Sequence, residues 1–294
     1  MTRAILLTGG TGQVGAAMLQ LDWPADVRLV APARAALDLT DAAATLAFVA
    51  GREWAAVINC AAFTAVDNAE TKVLEAWQLN ATLPALLASA TGARGIALIQ
   101  ISTDYVFDGA KRTPYEVADP TAPLGVYGAS KLGGELAVRT ANPRHAIVRT
   151  SWVFSPRGNN FVRTMLRLGA ERTHLRVVDD QHGRPTSAAD LALAIRAVTL
   201  RLIEDAQAPT GTFHFANEGV TTWCGLARET FRQAAARGLA APTIEPIGTA
   251  DYPTPARRPA WSVLSTRSLT RAFGVEPRPW QAALTDSIAS LLPA

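Results

Sequence analysis

The sequence predicts an α/β protein, a doubly wound parallel sheet with a smaller C-terminal part interleaved with it, and three observations carry that expectation. Short aliphatic runs alternate with longer Ala/Leu-rich stretches through the first half of the chain, the rhythm of strand, helix, strand. Each short run is almost wholly apolar, as a strand covered by helices on both faces must be. After about residue 150 the rhythm loosens into loops, and such loops hang on a scaffold and carry recognition.

Taken in order, the strands are expected at 4–7, 27–31, 56–59, 97–102 and 145–150. Helices are expected at 14–21, 42–51, 72–91 and 127–140, the second opened by Asp41 as N-cap. Later come loops at 155–160 and 179–186 and a Pro-rich stretch at 252–259. Strand-like runs at 175–178 and 212–216 suggest that the chain returns to the sheet, so 1–150 and 151–294 read as two interleaved domains with no clean linker. There is no internal repeat.

Composition narrows the function classes. With 49% apolar and 18% charged residues and a mean hydropathy of +0.11, 294 residues hold ample material for a core and do not describe a disordered chain. Lys plus Arg is 28 against 25 Asp plus Glu, a net +3 too small and scattered for a nucleic-acid groove or a polybasic membrane anchor. No apolar run reaches the roughly 18 residues that span a bilayer. Only Cys60 and Cys224 are present, and the N-terminus reads as a strand without a signal-peptide layout, so a reducing, cytoplasmic setting is expected.

The first strand-to-helix junction reads Thr8-Gly9-Gly10-Thr11-Gly12-Gln13-Val14-Gly15. Gly9 permits the tight turn, Gly12 lets backbone approach a pyrophosphate, and Gly15 lets the helix pack close on the strand, the dinucleotide-binding pattern of a Rossmann-type fold. Thr11, Gln13 and Val14 lie in the same loop. At the end of the second strand there is no acid before Asp38, and Arg34 is placed to accommodate a 2′-phosphate, which points to NADPH. Arg34 as a solvated charge would leave NADH use open; Asp38 and Leu39 would sit beside the adenine.

Tyr127 and Lys131 stand four apart on one face of an expected helix. With three lysines and four tyrosines in the chain, chance places such a pair only roughly 4% of the time. An ammonium beside a phenol is expected to lower its pKa, so that Tyr127 can exchange a proton with a carbonyl oxygen. Thr103 and Asp104 end a buried strand, where carboxyl-end groups face a cofactor cleft.

The glycine loop, Thr103, and the Tyr127/Lys131 pair together resemble the extended short-chain dehydrogenase/reductase superfamily. Five further segments resemble the dTDP-4-dehydrorhamnose reductase family within it: 102–109 (STDYVFDG), 149–154 (RTSWVF), 158–161 (GNNF), 179–186 (DDQHGRPT) and 256–259 (ARRP). The resemblance covers essentially the whole chain. It implies hydride transfer to the C4 keto carbon of dTDP-6-deoxy-L-lyxo-4-hexulose, giving dTDP-L-rhamnose. Tyr127 would be the proton donor, Thr103 a hydrogen-bond partner of the reacting oxygen, and Lys131 the residue that holds the nicotinamide ribose. It also implies that Asn59, Ala61, Ala62 and Asn80 line the cofactor cleft, with Thr64, Val66 and Asp67 in the adjoining loop; Asp67 serves either substrate or fold.

Among recognition residues, Trp152 offers a flat wall for a deoxysugar or, equally, a core contact. Asn160 and Arg184 offer donors to a diphosphate or sugar hydroxyls, and Arg258 a bidentate clamp, the alternative for each Arg being a surface ion pair. The four histidines and two cysteines lack metal-ligand spacing. Where some members of the family carry glutamates that join protomers through magnesium, this chain has Ala17 and Ala189, so no metal is expected and the expected state is a monomer or a weak homodimer. Another nucleotide-sugar reductase or epimerase stays open, as does a non-catalytic nucleotide-binding subunit. A sugar dehydratase would place Glu after the Asp that follows Thr103, and here Tyr105 stands there.

Overall fold

The computed structural model describes residues 2–292; Met1 and residues 293–294, which the expected domain bounds include, lie outside the described residues. The chain runs β1 (Arg3–Thr8), α1 (Gln13–Met18), β2 (Val27–Val30), α2 (Ala42–Ala50), β3 (Ala56–Asn59), α3 (Val66–Ala69), α4 (Val73–Trp77), a π-helical turn (Gln78–Thr82), α5 (Leu83–Gly92) and β4 (Ala97–Thr103). A 3₁₀ turn (Asp104–Val106) leads to α6 (Val126–Ala141), β5 (His145–Thr150), β6 (Val153–Phe154), α7 (Phe161–Glu171), β7 (His174–Val178), β8 (His182–Gly183), β9 (Thr186–Ser187) and α8 (Ala188–Glu204). Then follow β10 (Gly211–His214), β11 (Thr221–Thr222), α9 (Trp223–Ala235), β12 (Thr243–Ile247), α10 (Arg267–Phe273) and α11 (Trp280–Leu291).

Six strands form one parallel sheet in the order β10-β5-β4-β3-β1-β2. The uninterrupted apolar runs are explained by its two covered faces. Ile5, Leu7, Ile58, Ile99 and Val148 point to a core shared with Met18 of α1 and with Leu191, Ile195 and Leu202 of α8. Their neighbours Leu6, Val57, Leu98 and Ile147 point the other way, to Val49 of α2, Leu87 of α5 and Val138 of α6. Successive side chains alternate across a strand, so each strand supplies both cores.

Two expectations are corrected. Residues 212–214 do rejoin the sheet as β10, but 175–178 do not: β7 pairs in parallel with β12 in a separate two-stranded sheet. Its residues alternate exposed and buried, with His174 and Arg176 outward and Leu175 and Val177 inward, a one-faced strand packed on α7 and α9 rather than a strand for the interior of a two-faced sheet. The single helix expected over 72–91 is instead α4, the π-helical turn and α5. Pro84, near the start of α5, has no N–H to continue an i→i−4 ladder, which favours a change of winding just before it. Asp41 caps α2 as expected, accepting a hydrogen bond from the Ala44 N–H at 2.9 Å.

Candidate active site

A cleft of about 840 Å³ opens along the carboxyl ends of the central strands. Its floor is the turn between β1 and α1. Gly9 has φ +70°, and a Cβ there would stand 2.6 Å from the Ala61 nitrogen; a Cβ on Gly15 would stand 2.2 Å from the Gly9 carbonyl oxygen. Only glycine lets these backbones approach so closely, and the turn is left without side chains where a pyrophosphate would lie. The Arg34 side chain is 84% exposed at the cleft edge and lies 3.8 Å from Asp38, whose carboxylate already accepts from the Thr40 N–H and hydroxyl. This bare cradle with an exposed guanidinium, only loosely paired, at its edge fits a phosphorylated dinucleotide.

The reacting groups come from β4 and α6. The start of α6 is fixed by Glu70, whose Oε1 accepts from the Val126 N–H at 2.8 Å, and this sets the azimuth of Tyr127. Half-buried Tyr127 meets the Tyr105 ring edge-to-face at 5.8 Å. Lys131 is 4% exposed and its Nζ donates to the Ile101 carbonyl at 2.6 Å. Burial pushes this ammonium down to about 8, opposed by the nearby charge of Glu135. The Tyr127 phenol moves opposite to the expectation: burial pushes it up to about 12 and Asp104 adds to the rise, against a hydrogen bond with Thr103. The cause is burial first and the Asp104 carboxyl second; the Lys131 ammonium, which donates to the Ile101 carbonyl, does not offset them. The phenol is therefore a protonated group at neutral pH, a donor rather than an acceptor.

Thr103 ends β4, accepting from the Tyr105 N–H at 3.2 Å and donating to Asp104 Oδ1 at 3.0 Å. Asp104 is 2% exposed, its Oδ2 has no partner among the described residues, and burial raises its carboxyl to about 7. An unfolded aspartate titrates near 3.8, so between that value and 7 the folded protein holds the extra proton and loses stability as pH rises. In Asp104→Asn this part of the slope disappears. Urea midpoints measured from pH 4 to 7 should show the wild type losing ground to the variant as pH rises; parallel curves would contradict the burial of this carboxyl.

Most of the residues singled out from sequence line this cleft: Gly9, Thr11, Gly12, Gln13, Val14, Gly15, Arg34, Asp38, Leu39, Ala61, Ala62, Thr64, Thr103, Asp104, Tyr127, Lys131 and Trp152. Six do not. Asn59 is fully buried, with Oδ1 accepting from Thr8 and from the Ala61 N–H and Nδ2 donating to Gln100 at 2.7 Å, so it shapes the turn behind the cleft. Asn80, in the π-helical turn, is 1% exposed and ties both backbone groups of Phe63 to Ser130 of α6. Asn160 caps α7 and donates to Gln13 and Ser155. Arg258 pairs with Asp67 at 2.8 Å, and Asp67 also accepts from the Ala256 N–H, so both serve the fold of the Pro-rich loop. Val66 borders a separate small hollow with Tyr105 and Ala256. Arg184 lies outside the cleft wall, with its buried Nε unpartnered among the described residues.

Cys60, Thr150, Ser151, Gly158 and Asn159 line the cleft without having been singled out. Cys60 follows β3, and Thr150 and Ser151 stand at the end of β5, so applying the carboxyl-end rule to every strand would have found them. Trp152 adopts φ +48°, the one non-glycine residue with positive φ among the described residues, and stacks on Trp223 at 3.6 Å. A bulky residue held in that region is strained and persists only where surrounding packing over-determines it. Here the stack and the short β6–β9 pair supply that packing.

The family described as "RmlD substrate binding domain" matches residues 2–292. A dTDP-4-dehydrorhamnose reductase of Sinorhizobium fredii is 39% identical over 292 residues, covering 98% of this chain and 97% of that protein. The crystal structure of a dTDP-4-dehydrorhamnose reductase from Clostridium acetobutylicum superposes with a TM-score of 0.91 at 38% identity, covering 98% of this chain and 99% of that one. Another, from Bacillus anthracis and in complex with NADP, has a TM-score of 0.90 at 34% identity, with 98% and 99% covered. Likeness of this extent in sequence and backbone, on a cleft with this glycine turn and Tyr/Lys pair, means that the chain belongs to the dTDP-4-dehydrorhamnose reductase family.

Proposed function

We propose that the protein reduces the C4 keto group of dTDP-6-deoxy-L-lyxo-4-hexulose with NADPH, giving dTDP-L-rhamnose, the last step in making that nucleotide sugar. The observation that carries the reading is the pairing of a phenol kept protonated with the Thr103 hydroxyl at the end of β4, inside the same cleft as the phosphate turn. The bound cofactor supplies a hydride to the carbonyl carbon. Tyr127 donates its proton to the oxygen as negative charge develops there, and Thr103 holds that oxygen by a hydrogen bond once its hydroxyl turns from Asp104. Lys131 holds the ribose beside Tyr127. The glycine turn would hold the pyrophosphate and Arg34 the 2′-phosphate, while NADH, which lacks that phosphate, remains a usable donor.

Trp152, stiffened by its stack on Trp223, offers the sugar a flat wall. Arg184, half-buried with its Nε unpaired, suits the substrate diphosphate better than Arg258, which is engaged by Asp67. Within this reading residues 1–150 with β10 mainly serve the cofactor and 151–294 mainly the sugar nucleotide. We further place the protein in the cytoplasm as a monomer or weak homodimer; no helix among the described residues is long and apolar enough to cross a membrane.

The test is loss of absorbance at the reduced-nicotinamide band with purified protein, NADPH and freshly made dTDP-6-deoxy-L-lyxo-4-hexulose. Substrate-dependent loss supports the reading, and NADPH binding without loss would point to a different nucleotide sugar or a regulatory subunit. For the cofactor, Arg34→Gln should raise the KM for NADPH about 10- to 100-fold, the worth of one charge-assisted hydrogen bond, and leave that for NADH nearly unchanged. Equal changes for both cofactors would remove Arg34 from the 2′-phosphate site.

A further inference from the structure

Behind the Tyr127/Lys131 pair lies a buried charge cluster that the proposed chemistry does not use. Glu135 stands one helical turn beyond Lys131 on α6 and is 0% exposed. Its Oε1 accepts from Ser102 of β4 at 2.6 Å and from Arg149 Nε of β5 at 2.8 Å; its Oε2 accepts from Arg149 Nη2 and Arg139 Nη2, each at 2.7 Å. Arg149 is 1% exposed, lies over the Phe107 ring at 5.0 Å, and reaches His214 Nε2 of β10 at 3.4 Å. One carboxylate thus sits among three cations, Lys131, Arg139 and Arg149.

We infer that Glu135 is a positioning residue for Lys131: through Ser102 and Arg149 it locks α6 to β4 and β5 with the ammonium seated against Ile101, and it sets its carboxylate one helical turn from that ammonium. A pair serving only to join a strand to a helix would need one cation. This carboxylate accepts four hydrogen bonds from three elements and occupies the i+4 position of the very lysine it faces. Ser102 spans the same two elements, its backbone neighbour Ile101 receiving the ammonium while its hydroxyl binds Glu135. Lys131, already pushed down to about 8 by burial, is held up chiefly by Glu135, with a smaller contribution from Cys60. His214, faced by Arg149 and Asp119, is driven down to about 3 by burial and by the Arg149 charge, so it adds no further cation to the cluster at neutral pH.

The inference rests on the proposed role of Lys131 toward the cofactor, and its test does not need turnover. Binding of NADPH, followed by its fluorescence from pH 6 to 10, should weaken on the alkaline side as Lys131 loses its proton. In Glu135→Gln that limb should move down by about one pH unit or more, because the carboxylate that raises the lysine is gone. In Arg139→Gln, at a position 35% exposed, it should move up, because one of the cations that neutralise Glu135 is gone and more of its charge acts on Lys131. Opposite movements support the assignment, and rescue of the limb by Glu135→Asp would strengthen it. Limbs that stay at the wild-type position in folded variants, or that move the same way, overturn it. If Glu135→Gln does not fold, the Arg139→Gln limb decides alone: upward supports, unmoved overturns. Failure of the wild type to reduce the dTDP-ketosugar would instead count against the proposed function, leaving this readout intact.

Discussion

Tyr127→Phe is expected to lower kcat about 10²- to 10⁴-fold while leaving NADPH binding and thermal unfolding near the wild type. The phenylalanine ring keeps the edge-to-face contact with Tyr105, centroids 5.8 Å apart, so the wall of the cleft is preserved. Only the O–H is lost, and with it the proton for an oxygen that becomes an alkoxide as the carbonyl is reduced. With the phenol pushed up to about 12, ionisation of Tyr127 does not limit activity at neutral pH, and the alkaline limb belongs to Lys131, pushed down to about 8. Turnover of Tyr127→Phe within a few fold of the wild type would require another donor, with the Thr103 hydroxyl and the Asp104 carboxyl, both of which act on the phenol, the candidates.

The second large effect is on stability. Arg149→Met should cost about 3–5 kcal/mol, because buried Glu135 loses two of its four hydrogen bonds and its most buried counter-charge, keeping only the bonds from Arg139 and Ser102 and the more distant charge of Lys131. In a chain of this size that corresponds to a fall in Tm on the order of 10 °C. Exposed pairs such as Arg167–Glu171, with side chains 62% and 51% exposed, contribute little by comparison. The double variant Arg149→Met/Glu135→Leu should recover much of the loss, since two apolar side chains replace two charges that had to be desolvated together. Thermal and urea unfolding would decide. If the single variant matched the wild type, the buried pair would be energetically idle, and the interior around β5 wetter than its zero exposures imply.

The parts of the molecule that could be read in advance share one property: their signals are local. The strand at Ala56–Asn59 and that at His145–Thr150 fall where their apolar runs lie, and Asp41 caps the helix it precedes. The glycine turn and the Tyr127/Lys131 spacing are likewise contained within one turn or one helix. What could not be read depends on partners distant in sequence. Arg258 looks like a phosphate clamp until Asp67, 191 residues away, is found bonded to it. Asn160 offers free donors only until Gln13 and Ser155 take them. The strand at 174–178 belongs to β12 because of what lies 69 residues further on, and its one-sided exposure pattern was the available hint. The raised Tyr127 pKa is of the same kind, set by its burial and by Asp104 at the end of the neighbouring strand.

The late arrival of β10 and α8 bears on how the chain is made. A nascent polypeptide released as far as Thr150 would contain five of the six parallel strands, yet β5 would be an open edge, and Ile5, Leu7, Ile58, Ile99 and Val148 would face water where α8 should lie. The phosphate turn would thus be synthesised first and its scaffold completed only after residue 214 has left the ribosome. A split or shortened gene product ending near 150 should therefore aggregate rather than persist as a free-standing nucleotide binder, and any severed version would have to keep 188–214 with the amino-terminal piece.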